Sequence, residues 1–186
     1  MLIHKGTQTI QTPRLILRKA RREDAQPMFH NWASDPEVTK YLTWPHHNSI
    51  EVTQKILEIW LTEYNKSNYY QWMIELKELE EPIGSISVVR LNDNGKEAEI
   101  GYCIGTRWWH KGITTEACSA VIEYLFTEVG MNRLTARHDP NNPHSGAVMK
   151  KCGMKYEGTH HACDRNNQGI CDAVYYGIER SAWSKL

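Results

Sequence analysis

The segment Gly101-Tyr-Cys-Ile-Gly-Thr-Arg-Trp-Trp-His-Lys-Gly-Ile-Thr-Thr-Glu-Ala117 carries the densest chemical signal in the chain. It reads as a strand, a short loop and the first turn of a helix. A helix N-terminus offers backbone N–H groups without intrahelical acceptors and the positive end of the helix dipole, a combination that binds phosphate. Gly112 lets the backbone approach a ligand with no Cβ in the way. Thr114 and Thr115 add hydroxyl donors and Lys111 adds charge. Two familiar phosphate loops are excluded by spacing. A P-loop aligned on Gly105 and Lys111 needs Gly at 110 and Ser or Thr at 112, where the chain has His110 and Gly112. A dinucleotide G-x-G-x-x-G fails because Gly101 and Gly105 are wrongly spaced. On these residues alone, a plain strand-to-helix turn at Gly112 remains the competing reading.

Other reactive residue types carry less. His160, His161, Cys163 and Cys171 invite a zinc reading, but strand alternation sends His160 and His161 to opposite faces and no ligand spacing matches, so no metal is expected. The basic run Arg18-Lys-Ala-Arg-Arg22 reads as a solvated face. The stretch Tyr41-Leu-Thr-Trp-Pro-His-His47 is a loop rich in aromatics and imidazoles.

The elements that must position these residues follow from hydrophobic spacing. Leu15-Ile-Leu17 reads as a first strand. Arg22-Glu-Asp-Ala25 then caps a helix with Ala25, Met28, Phe29 and Trp32 on one face. A second helix starts near Asn48 with Glu51 as capping-box partner, and Val52, Ile56, Ile59, Trp60 and Tyr64 form its buried stripe. Residues 69–76, 83–90 and 96–104 read as strands, separated by Glu81-Pro82 and Asn92-Asp-Asn-Gly95. Helical spacing returns over 114–129 and stops at Gly130. A short strand at 134–137, a helix at 145–152 closed by Gly153, and a hairpin of 156–163 with 170–178 complete an α/β chain.

Composition bounds what such a chain does. It has 186 residues with 22 Lys+Arg and 22 Asp+Glu, so one domain over 1–186 is expected, with zero formal charge. Neutrality argues against an electrostatically driven nucleic-acid binder. The odd count of 5 cysteines without a C-x-x-C pair favours free thiols in a reducing compartment. No apolar run is long enough for a signal peptide or a membrane span, so a cytoplasmic location is expected. Aromatics are skewed, with Trp 7 and Tyr 9 against Phe 2, which suits half-wet clefts.

Several blocks, in order, resemble the GNAT-family N-acetyltransferases, and within them the subgroup that acetylates ribosomal-protein N-termini. Thr12-Pro-Arg-Leu-Ile-Leu-Arg18 is similar to the opening strand and Glu99-Ile-Gly-Tyr102 to the fourth. Trp109-His-Lys-Gly-Ile-Thr-Thr-Glu-Ala117 resembles the pyrophosphate loop. Asn142-Pro-His-Ser145 with Val148, Lys151 and Gly153-Met154 resembles the late helix, and 172–180 the closing strand. His110 stands where the subgroup commonly has glycine, Thr114 departs from the general family pattern, and Met149 stands where many relatives carry an acidic tyrosine.

The resemblance implies a mixed central β-sheet with helices on both faces, splayed between its fourth and fifth strands (96–104 and 134–137) to admit acetyl-CoA. It implies that residues 109–115 (Trp109, His110, Lys111, Gly112, Ile113, Thr114 and Thr115) hold the pyrophosphate and Asn142 the pantetheine amides. An oxyanion would be met by a backbone N–H of Cys103 or Ile104. Glu99 would be the general base, acting through water, and Ser145 would lie beside the sulfur. Trp44, His46 and His47 would line the amine cleft, or pack a helix connection. Plainer roles stand beside these: Glu99 as a solvated strand residue, Ser145 as a helix N-cap and Asn142 as a turn residue. The expected activity is acetyl transfer to a primary amine, first a protein N-terminus. Alternatives are a small amine such as an aminoglycoside or polyamine, and a non-catalytic acyl-CoA-binding module.

Overall fold

The computed structural model describes residues 2–183. Its strands are β1 (Ile10–Gln11), β2 (Leu15–Arg18), β3 (Gln71–Leu76), β4 (Glu81–Asn92), β5 (Glu97–Ile104), β6 (Arg133–His138), β7 (Lys155–Asn166) and β8 (Gly169–Glu179). They form one open sheet of 8 strands in the order β1-β2-β3-β4-β5-β6-β8-β7. Every neighbour is antiparallel except β5 and β6, which are parallel. The fourth and fifth strands read from sequence are β5 and β6 here, because the short β1 was not anticipated. They pair only at Glu97↔Arg133, Ala98↔Leu134 and Glu99↔Thr135. Beyond Glu99 the strands separate, and the sheet opens as the resemblance implied.

Helices cover both faces. On one, α4 (Ile113–Tyr124) and α5 (Pro143–Lys151) pack on Ile100, Ile104, Leu134, Ala136 and Tyr176. On the other, α1 (Ala25–Met28), α2 (Pro36–Thr39) and α3 (Ile50–Glu63) gather around Trp32, Leu57 and Met73. Strand alternation feeds both layers, with Trp72 and Ile74 in the first core and Met73 in the second. A short α6 (Arg180–Trp183) follows β8.

Three local expectations are corrected. The first helix is not continuous: a 3-10 turn at Arg22–Asp24, α1 and a π turn at Phe29–Ala33 follow one another. Both the amide and the hydroxyl of Ser34 donate to the Phe29 carbonyl, which widens the last turn. Ala25, Met28 and Trp32 are buried as expected, and Phe29 half-buried. In α3 the N-cap is Ser49, not Asn48, and the buried face is turned. Val52 and Ile59 are exposed, while Thr53 and Leu57 are buried. Thr53 is tolerated inside because its hydroxyl is bonded to His47 Nδ1 at 2.8 Å. Finally, Arg18 is not on a solvated face. It is buried and forked onto Asp24 at 2.7 and 2.8 Å, with Nε on Glu75.

Candidate active site

Where β5 leaves β6, two clefts meet at Tyr102 and Cys103, which line both. The first, of about 290 Å³, lies between the end of β5, the N-terminus of α4 and α5. Of the residues assigned to the cofactor from sequence, Cys103, Ile104, Trp109, His110, Gly112, Ile113, Thr114, Thr115 and Asn142 all line it. Lys111 is not among them; its carbonyl accepts from Arg14 Nη1 at 2.9 Å.

Gly112 is the N-cap of α4 with φ +72°. The first bond of that helix runs from Glu116 N to Gly112 O, so the amides of Ile113, Thr114 and Thr115 lie before it and face the cleft end. His110 also has a left-handed φ, +60°, a conformation that favours glycine. Its ring meets His144 edge-on at 4.5 Å, bridging the loop to α5. This is a built anion cradle: free amides, a dipole end and an uncrowded glycine, which fit the pyrophosphate of CoA.

The start of α4 is clamped to the turn between β1 and β2. Glu116 accepts from Thr12 Oγ1 at 2.6 Å and from the Arg14 amide and Nε at 2.9 and 2.6 Å. Burial works against the charged carboxylate, but these bonds outweigh it and hold the carboxyl below its ordinary 4.5. The unfolded chain therefore takes up the proton first. The clamp's contribution is complete above the ordinary value and is lost as pH falls through the lower folded one. Glu116→Gln is expected to remove this increment, so the melting temperatures of variant and wild type separate above about pH 4.5 and converge below it. A constant difference across that range would exclude the clamp.

The β5 edge is set by its ladder. Gly105 N donates to Ile83 O, and Cys103 lies opposite Ser85 in the same register. Alternation then turns the Cys103 N–H toward β4 and the Ile104 N–H toward the open edge. The Ile104 carbonyl on that edge accepts from Trp109 Nε1 at 2.9 Å. Ser145 is not an N-cap; Asn142 holds that position in α5. The Ser145 hydroxyl instead donates to Tyr102 Oη at 3.1 Å, and Tyr102 Oη donates to the Ser145 carbonyl at 2.9 Å. Burial pushes the Tyr102 phenol well above its ordinary range. Met149 is buried in the core.

The second cleft, of about 400 Å³, opens on the other side of β5 under α1 and α3. Trp44, His47 and Glu99 line it; His46 is exposed and is not among its lining. The His47 ring lies tilted against Trp44 with centroids 5.5 Å apart, and burial, with the neighbouring His46, lowers its pKa below 6.5. A neutral imidazole thus faces the cleft at physiological pH. Glu99 is buried, not solvated, bonded to Arg137 Nη1 with Arg90 Nη1 at 3.8 Å. Arg137 also holds Asp164 at 2.6 Å; burial opposes that carboxylate, yet the guanidinium and the Arg165 amide keep its pKa below 3.8.

Sequence reasoning missed Tyr102, Arg137 and Asp164. The alternation Arg133/Thr135/Arg137 against Leu134/Ala136/His138 could have placed Arg137 on the second face, but nothing local marks its partners. Among the described residues no group of His, Cys, Asp and Glu could hold a metal ion, and no helix is long and apolar enough to cross a membrane.

A sheet opened beside a glycine-capped helix N-terminus, with a second cleft on the far side of the same strand edge, defines a two-substrate transferase that takes an acyl-CoA. The profile of the acetyltransferase (GNAT) domain matches residues 14–155, and the chain belongs to that family. It is an acetyl-CoA-dependent N-acetyltransferase. It is 32% identical over 171 residues to the uncharacterized N-acetyltransferase p20 of Bacillus licheniformis, covering 92% of this chain and 96% of that protein. A shorter match, 36% over 59 residues, is to the [ribosomal protein uS5]-alanine N-acetyltransferase of Escherichia coli, covering 32% of this chain and 30% of that one. In fold it is similar to RimL, a ribosomal L7/L12 alpha-N-protein acetyltransferase, in complex with coenzyme A. The TM-score is 0.84 at 20% identity, over 94% of this chain and 99% of that one.

Proposed function

We propose that the acceptor is the α-amine of a protein or peptide N-terminus. The carrying observation is the reach of the acceptor side. Glu99 lines both the second cleft and a further groove of about 430 Å³ that runs on past Arg90, Arg133, Thr135 and Tyr175. A small amine would fill only the cleft, whereas a peptide extends along the sheet beyond it. Charge supports this reading. The cleft's Glu99, Asp139 and Asp164 are largely offset by Arg137 and Arg165, leaving an excess of one acid where the several ammonium groups of a polyamine or aminoglycoside call for more. The uS5-alanine relative points the same way.

In this reading acetyl-CoA supplies a thioester, whose sulfur leaves readily as a thiolate. The pyrophosphate sits on the amides after Gly112, with Asn142 beside the pantetheine arm. The Ile104 N–H on the open edge meets the developing oxyanion, and Cys103 contributes wall rather than donor. The Ser145 hydroxyl, rotating off Tyr102 Oη, hydrogen-bonds the departing sulfur, while Tyr102 stays on the Ser145 carbonyl. Glu99 receives the amine proton through water, oriented by Arg137. Trp44 and His47 flank the entering amine.

Thiol release from acetyl-CoA is expected with short peptides and not with spermidine or an aminoglycoside; the reverse pattern would move the acceptor to small amines. Absence of thiol release with every amine tested, despite tight acetyl-CoA binding, would leave only a binding module. Glu99→Gln is expected to lower kcat by about tenfold to hundredfold and to change the rising limb of the pH–rate profile. An unaltered profile would remove Glu99 from proton transfer.

A further inference from the structure

The floor of the second cleft holds buried donors that no protein group satisfies. Trp32 is fully buried and Gln71 is 7% exposed, and both line the cleft. Trp32 Nε1 and Gln71 Nε2 have no hydrogen-bond partner. Unpaired buried donors are uncommon, because each forfeits the bond that water would have given it. A third unpaired atom, His138 Nε2, lies against α5 at Gly146 on the opposite face of the sheet and belongs to a different environment.

The sheet explains why there is room. On β3, β4 and β5 the residues Gln71, Ser87 and Gly101 form one cross-strand row, and Met73, Ser85 and Cys103 the next. All of these point to the α1–α3 side, where large apolar residues would fill the layer. The two serines leave a hollow there beside Trp32, while Val89 Cγ1 closes over Gly101. Ser85 Oγ has only the soft Cys103 Sγ at 3.4 Å.

We propose that this hollow is a subsite for an uncharged oxygen of the acceptor, a hydroxyl or carboxamide oxygen next to the reacting amine. An indole N–H and an amide N–H₂ can only be satisfied by an acceptor atom. A carboxylate is disfavoured at the floor, because Arg137 is already engaged by Glu99 and Asp164 and the other guanidinium of the cleft, Arg165, is on an exposed residue. The proposal rests on the second cleft being the acceptor side, as above, and adds what the first residue of the acceptor must carry.

The test uses near-isosteric pairs, peptides that begin with Thr against Val and Asn against Leu, and the corresponding single-residue amides. With acetyl-CoA, kcat/KM is expected to favour the oxygen-bearing member by about tenfold or more, because the analogue leaves the donors unpaired. Gln71→Leu should collapse that ratio by slowing the Thr and Asn substrates far more than the Val and Leu substrates. A wild-type ratio near unity, as when a resident water satisfies the donors, or a ratio unchanged in Gln71→Leu, overturns the subsite. Turnover of amides but not peptides would defeat the protein-N-terminus reading, while the amide ratio still decides the subsite. Should no amine turn over, the indole N–H resonance of Trp32, identified by its loss in Trp32→Phe, is titrated with threoninamide and valinamide. Movement with threoninamide alone supports the proposal, and equal or no movement overturns it.

Discussion

Gly112→Glu is expected to abolish acetyl-CoA binding while the protein stays folded. The backbone at 112 is left-handed, so any L-residue there costs about 1–2 kcal/mol. Space is not the obstacle: an added Cβ would meet only Arg14 Nη2, at 3.7 Å. The new side chain therefore fits, and its charge decides the outcome. A carboxylate at the start of α4 occupies the amides of 113–115 and lies within a few ångströms of the pyrophosphate site. Two like charges about 4 Å apart near a protein surface repel by about 4 kcal/mol, roughly a thousandfold in affinity. Gly112→Ala separates the two effects, because it carries the backbone cost without the charge. Calorimetry should find its affinity for acetyl-CoA within about threefold of wild type, about 0.6 kcal/mol by the same conversion. Wild-type affinity in Gly112→Glu would show that the pyrophosphate does not bind at this helix end.

The pyrophosphate loop was legible because its parts are neighbours in the chain. Strand, glycine, threonines and helix start all fall within 101–117, so their types and order carry the geometry. The splay was legible only through the resemblance; no local pattern says that pairing between β5 and β6 stops at Glu99. The rest of the site depends on contacts between distant segments. Tyr102 meets Ser145 across 43 positions, and Glu99 meets Arg137 across 38. An isolated reading of Glu99 sees a strand carboxylate, not one side of a buried ion pair. The α3 stripe failed for a related reason. Period alone counts Val52 and Ile59 as core, but the buried hydrogen bond from His47 turns Thr53 inward instead. The small floor residues Ser85 and Ser87 look ordinary read along β4; only their cross-strand register beside Gln71 and Cys103 reveals a hollow.

The largest loss of stability is expected from Arg18→Leu. The Arg18 side chain is 7% exposed, and its partners Asp24 and Glu75 are 6% and 12% exposed. Burial alone would lower the Arg18 pKa, but its bonds to both carboxylates raise it above its ordinary value, so the guanidinium stays charged at any working pH. Asp24 also accepts from the Arg21 amide at 2.7 Å, which fixes the turn that starts α1. Leucine matches the stem but leaves two buried carboxylates without a cation. Breaking a buried pair in this way costs about 3–5 kcal/mol, or on the order of 10 °C in melting temperature for a chain of this size. Adding Glu75→Gln should recover part of the loss, since one of the stranded charges is removed. A purely packing defect would show no recovery, and a fall of less than about 1 kcal/mol would mean that the triad contributes nothing beyond a surface pair. The consequence reaches the acceptor side, because β2 and the start of α1 are joined here and the π turn after α1 carries Trp32 over the hollow. A partial loosening at Arg18 should therefore weaken discrimination between Thr and Val substrates before it affects acetyl-CoA affinity, whose cradle hangs on the separate Glu116 clamp.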